Sequence, residues 1–156
     1  MDIRIALLSL VHIALVGIGG WLIVIDARTH RLPNRIVLPT LAVLVALAAI
    51  DALATGQGRH FVRAALGMLI LGGFYAVLRG ISRAGMGGGD VKLAAVIGLV
   101  LGWHGWQSLA IGAAAAFVLG ALYALVLILL RRADGATRIA FGPWMIVGAL
   151  LGVVLG

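Results

Sequence analysis

The chain has 156 residues, of which 63% are hydrophobic, with a mean hydropathy of +1.20. A soluble domain of this length runs nearer half apolar, so the excess points to a membrane protein and leaves no stretch for a water-soluble domain. The net charge of +7 is not a nucleic-acid signature, because its position along the chain follows membrane topology, and the lack of cysteine excludes disulfides, thiolate nucleophiles and cysteine-bound zinc.

A hydrocarbon core about 30 Å thick takes about 20 apolar residues per helical crossing. Six segments meet or approach that length: 5–25, 36–54, 61–79, 89–104, 107–130 and 139–155. The predicted architecture is all-α: a polytopic bundle of about six transmembrane helices forming a single domain over 1–156. The fourth run is the shortest and spans only if the glycines before it enter the membrane. The first is too long for the apolar region of a signal peptide, lacks a basic start and is followed by no clear small-residue cleavage site, so it is read as a retained helix.

Arg28, Arg31, Arg35, Arg79, Arg83, Lys92, Arg131, Arg132 and Arg138 fall on the first, third and fifth loops, whereas only Arg4, Arg59 and Arg63 lie on the other side. That bias places the odd loops in the cytoplasm and both termini outside. Anionic lipid and topology account for the basic excess, with no nucleic-acid partner. Trp21, Trp103, Trp106 and Trp144 stand near predicted helix ends, where an indole meets the interface. Gly98 with Gly102, and Gly148 with Gly152, are small-xxx-small pairs suited to close helix packing.

The acidic residues are Asp2, Asp26, Asp51, Asp90 and Asp134, and there is no glutamate. Asp2 and Asp134 read as solvated charges, and Asp51, at the outer end of the second helix, as a structural or interfacial group. Asp26 ends the first helix and Asp90 begins the fourth. Because chain direction alternates, both arrive at the cytoplasmic side at similar depth. An aspartate at a helix centre costs about 2.5–3.5 kcal/mol on insertion scales. Asp90 could simply cap its helix. That account fails for Asp26, since a negative charge at a helix C-terminus opposes the macrodipole.

Two carboxylates held close share a proton, so one can activate a water while the other hydrogen-bonds a scissile carbonyl. "GMGGGDVKL", residues 85–93, suits such a site: Gly87 and Gly89 permit positive φ and a close approach of substrate backbone. Other chemistries fit poorly. His12, His30, His60 and His104 are scattered without i,i+4 partners, and His12 reads as a packed or interfacial imidazole; no metal is expected. Ser9, Ser82 and Ser108 lack a nucleophile-elbow setting. Lys92 lacks the following Ser or Thr of a phosphate-binding loop.

"GMGGGDVKLAAVIGLVLGW" resembles the signature of type IV prepilin peptidases, the bacterial members of the GxGD membrane aspartyl proteases, with Gly87-Gly88-Gly89-Asp90 as GxGD. "DARTHRLPN" is similar to the family's other catalytic segment and supplies Asp26. "RIAFGPWMIVGALLG" resembles its final-helix motif, here Phe141, Gly142 and Pro143, with Ala140 where proline often stands. The resemblance implies a multi-pass protein of the bacterial cytoplasmic membrane that uses Asp26 and Asp90, without cofactor, to remove the basic leader of a prepilin or pseudopilin at the cytoplasmic face. Gly87, Gly89, Lys92, Phe141, Gly142 and Pro143 are then expected near the site, with Lys92 at a lipid phosphate. Many members also carry two Cys-x-x-Cys pairs and N-methylate the new N-terminus; without cysteines, peptidase activity alone is expected here. The competing readings are a small proton- or ion-coupled transporter, which predicts carboxylates near the bilayer midplane and often a repeated half, and a non-catalytic pilus-assembly subunit.

Overall fold

A computed structural model of the chain describes residues 3–82, 86–132 and 140–156. They form six helices: α1 (Ile3–Thr29), α2 (Asn34–Thr55), α3 (Gly58–Ile81), α4 (Gly88–His104), α5 (Trp106–Leu129) and α6 (Gly142–Leu155). All six expected segments are present, and no strand occurs among the described residues. Asp2, Arg83, Gly85, Asp134 and Arg138, which figure in the sequence reading, lie outside these residues.

α1, α2, α3 and α5 are long and apolar enough to cross a membrane. Their outer surfaces carry bare aliphatic side chains, including Ile5, Ile13, Val43, Leu69, Val77, Val118 and Leu125. Such a surface is stable only against lipid. α4 and α6 are shorter, at 17 and 14 residues. α4 is nonetheless the most enclosed helix, burying Leu93, Ala94, Val96, Ile97, Gly98, Leu99, Leu101 and Gly102. The protein is therefore an all-α polytopic membrane bundle built around α4.

Glycine decides which helices meet. In lipid the apolar side chains gain nothing by leaving one apolar surface for another, so association rests on close packing. A Cβ added to Gly98 would stand 2.3 Å from the Gly67 carbonyl oxygen, and one on Gly102 2.6 Å from that of Arg63, so α3 and α4 touch backbone to backbone. Gly148 and Gly152 do the same for α6 against α5, since an added Cβ would stand 2.6 Å from the Gly112 carbonyl oxygen and 2.5 Å from that of Ser108. Both small-residue pairs thus pack helices as expected. α1 lies against α6, where the Cβ of Gly19 would meet Ile146 at 3.1 Å.

Helix ends shift from their expected positions in ways that matter. α1 runs past Asp26 by nearly a turn and stops where His30 takes a positive φ of 51°. Asp26 therefore sits inside the helix, and Trp21 lies two turns in from its end rather than near it. The α4–α5 connection is Gly105 alone.

Asp26, Asn34, Arg79, Asp90 and Gly142 all lie at one end of the bundle. Arg4, Asp51, Arg63, His104 and Gly156 lie at the other, where Arg4 Nε donates to Asp51 Oδ1 at 2.8 Å. Asp51 is thus a structural group.

Replacing Gly98 with Ala is expected to destabilise the bundle by about 1–3 kcal/mol through overpacking. Gly73→Ala, where an added Cβ meets nothing within 4 Å, is expected to be neutral or stabilising. Thermal melts followed by circular dichroism in detergent distinguish the two.

Candidate active site

Asp26 is 4% exposed, buried among apolar helices. Its Oδ2 accepts a hydrogen bond from the backbone N–H of Gly142 at 3.1 Å, across 116 residues of chain. Gly142 is the first residue of α6, so this N–H is one of the donors a helix start leaves unsatisfied. The carboxylate opposes the dipole of its own helix but faces the positive end of α6, where negative charge is stabilised. The apparent misplacement of Asp26 in the sequence is resolved by a helix that begins far away in the chain.

The Phe-Gly-Pro segment builds this contact residue by residue. Phe141 is anchored in an aromatic cluster, 5.4 Å from Phe117 and 6.1 Å from Tyr75 between ring centroids. Gly120 opens the space for it, since a Cβ there would lie 2.6 Å from the Phe141 ring. Gly142 admits Asp26, because its own Cβ would meet Oδ2 at 2.5 Å. Pro143 occupies the first turn of α6, where a missing N–H costs nothing.

Asp90 sits half-buried in the first turn of α4. Its Oδ2 accepts from the Gly87 N–H at 2.9 Å, one arm of a capping box. The capping role considered from sequence is therefore real, and it coexists with a second property: Asp90 lies within electrostatic reach of Asp26 and of Arg79. The two aspartates are brought together at one end of the bundle, each at a helix N-terminus and each with one oxygen held by a backbone N–H.

What brings them together is the α1–α2 loop, fastened onto the start of α4. Leu32 is buried against Gly89, where a Cβ would come within 2.7 Å of the leucine Cβ. Asn34 Oδ1 accepts from Lys92 Nζ at 2.7 Å. Between them Pro33, extended at φ −70° and ψ 121°, starts α2. Lys92 thus reaches Asn34 and not a lipid phosphate as expected, and it clips the two aspartate-bearing segments to each other. The positive φ that glycine permits is not used here: Gly87 has φ −72°, and among the described residues only Gly56 is a glycine with φ in the left-handed region. Gly89 and Gly142 serve close approach instead.

Two neighbours escaped the sequence reading. Tyr75 of α3 is 1% exposed, packs on Phe141 and lies within electrostatic reach of Asp90. A tyrosine inside an apolar helix was the available signal. The Arg79 guanidinium lies over Gly88, and nothing in its spacing marked it.

Between α1, α2, α4 and α6 lies an apolar cavity of about 430 Å³. Leu22, one turn before Asp26, and Leu93, one turn after Asp90, form its near end with Val37, while His12 and Val153 line the far end.

The model of the type IV leader peptidase family matches residues 13–128, which include both aspartates. The chain belongs to this family. Among curated proteins it is similar to the prepilin leader peptidase/N-methyltransferase of Bacillus subtilis (strain 168), 35% identical over 136 residues, or 85% of this chain and 50% of that protein. The Escherichia coli (strain K12) protein of the same name is 36% identical over 131 residues, 82% of this chain and 55% of that one. The Pseudomonas aeruginosa (strain PAO1) protein is 31% identical over 133 residues, 85% and 44%. The chain spans about half the length of these relatives. No solved structure matches it significantly. The family match ends before Phe141, so the α6 contact to Asp26 is known from the structure of this chain.

Substituting Gly89 with Val drives a side chain into Leu32 and is expected to release the α1–α2 loop. An overpacking penalty of about 1–3 kcal/mol corresponds to a roughly fivefold or greater rise in tryptic cleavage after Arg31, if opening is fast relative to cutting. Gly80→Ala, with nothing within 4 Å of the added Cβ, is expected to leave the rate unchanged.

Proposed function

We propose that this membrane protein is an aspartic endopeptidase that removes the short basic leader of a prepilin or pseudopilin. The observation that carries this reading is the approach of Asp26 and Asp90 to within electrostatic reach at one end of the bundle, on the two segments that resemble the family's catalytic motifs. Family membership and the names of the relatives support the substrate class. Those names also include N-methyltransferase; the proposal for this chain is the peptidase step.

In the proposed reaction the two carboxylates share one proton around a water molecule. The ionised aspartate takes a proton as the water oxygen attacks the scissile carbonyl. The protonated aspartate hydrogen-bonds the carbonyl oxygen and stabilises its developing charge, and collapse of the tetrahedral intermediate returns a proton to the leaving amine. The N–H groups of Gly142 and Gly87 each hold one carboxylate oxygen, fixing the geometry before substrate arrives. Gly87 and Gly89 lie beside Asp90, and Phe141, Gly142 and Pro143 position the partner of Asp26.

The apolar cavity that reaches Leu22 and Leu93, one turn from each aspartate, supports a substrate whose cut lies next to a hydrophobic segment. Arg28, Arg31, Arg35, Arg79, Lys92, Arg131 and Arg132 share this end of the bundle. That distribution supports a cytoplasmic site in the bacterial inner membrane, with both chain ends on the outer side. The same placement disfavours a transporter, which would hold its carboxylates near the midplane.

Asp26→Asn and Asp90→Asn are each expected to lower cleavage of a co-expressed prepilin by at least about a hundredfold, with membrane insertion of each variant verified. Cleavage at the wild-type rate by either inserted variant overturns the two-aspartate mechanism.

A further inference from the structure

At the end of the bundle opposite the aspartates, two histidines that the sequence left scattered come face to face. His12 of α1 and His104 of α4 have their Nε2 atoms 3.1 Å apart, with the rings nearly perpendicular at 86°. Each ring uses its other nitrogen in the same way. Nδ1 of His12 lies 2.6 Å from the Leu8 carbonyl oxygen, and Nδ1 of His104 lies 2.9 Å from that of Val100. A carbonyl oxygen only accepts, so both Nδ1 atoms carry the hydrogen. In the neutral rings both Nε2 atoms are then unprotonated at hydrogen-bond distance, an arrangement relieved by a cation between them, either a shared proton or a metal ion.

A backbone carbonyl that holds Nδ1–H and frees Nε2 is the outer-shell arrangement of metal-binding histidines, because it fixes the tautomer and the ring orientation. With metal–nitrogen bonds of about 2.0–2.1 Å, the 3.1 Å separation corresponds to a nitrogen–metal–nitrogen angle of about 95–100°, between tetrahedral and octahedral values. A cavity of about 70 Å³ adjoins the pair, lined by His12, His104, Trp103 and Asp51 among others. Its walls are almost wholly apolar, so water there would be held by the ion and not by the cavity. Among the described residues no third His, Cys, Asp or Glu completes a coordinating group, so water would fill the remaining positions. Asp51 lines the same cavity but is neutralised by Arg4, and the Arg63 guanidinium donates to the His104 carbonyl oxygen at 3.1 Å.

We propose that His12 and His104 bind a divalent transition-metal ion of the class that favours imidazole, such as Cu²⁺, Ni²⁺ or Zn²⁺. The ion ties α1 to α4. These are the two helices that carry Asp26 and Asp90 at their far ends, so the link fixes the mutual position of the pieces on which the other site is built. The metal site does not depend on the peptidase reading, and its test needs no substrate.

The full chain is purified in detergent without a polyhistidine tag, stripped with a chelator and titrated with Cu²⁺ and with Zn²⁺. About one ion per chain is expected, with electron paramagnetic resonance of the Cu²⁺ form showing two imidazole nitrogens and with Zn²⁺ raising the melting temperature. His12→Gln and His104→Gln are each expected to weaken binding at least about tenfold, to lose the two-nitrogen pattern and to melt without response to Zn²⁺. Circular dichroism checks that each variant is folded. Equal binding by wild type and the double variant overturns the proposal. So does a wild type that takes up neither ion, which would leave a shared proton alone between the rings.

Discussion

The hydrogen bond from the Gly142 N–H to Asp26 is the contact on which the candidate site depends. A carboxylate buried in an apolar bundle is held only if its charge or its proton finds a partner. Here the partner is the N-terminus of α6. The demand of the buried group therefore reaches across nearly the whole chain: α6 must begin at Gly142, Phe141 must be anchored to aim it, and Gly120 must leave room for the phenyl ring. Only a glycine fits between Asp26 and the start of that helix.

Asp90 follows the same electrostatic rule with local means, since its carboxylate lies in the first turn of its own helix and takes the Gly87 N–H. Two helix N-termini at one end of the bundle thus accommodate two carboxyl groups whose charge would otherwise be costly near lipid. The Leu32–Gly89 contact and the Asn34–Lys92 hydrogen bond then hold the two segments against each other. The short motifs of this family are legible as parts of one device. Their glycines provide clearance, their aspartates take N–H groups at helix starts, and their remaining polar residues clip loop to helix.

Backbone-to-backbone packing of α3 on α4 and of α6 on α5 gives that device a rigid support in a solvent where hydrophobic burial contributes little. α1 is held differently. It lies against α6, bonds to that helix through Asp26, and meets α4 through a histidine pair at its other half. The helix that brings one aspartate to the site is fixed at two points far apart, and an apolar cavity remains between them.

The sequence by itself determined the six helices, the membrane class, the alternation that sends Asp26 and Asp90 to the same end, and the small-residue pairs that pack helices. All of these follow from local composition and from the length of a bilayer crossing, which are read along the chain without knowing its neighbours. Tertiary structure alone decided the rest. The partner of Asp26 comes from α6, Lys92 reaches Asn34 in place of lipid, Tyr75 and Arg79 join the site, and His12 meets His104 although no spacing relates them. Asp26, Lys92 and the two histidines are polar groups partnered by a residue from another helix. Helix-to-helix register is set by glycine contacts and shape, and it leaves no periodic trace in the order of the residues.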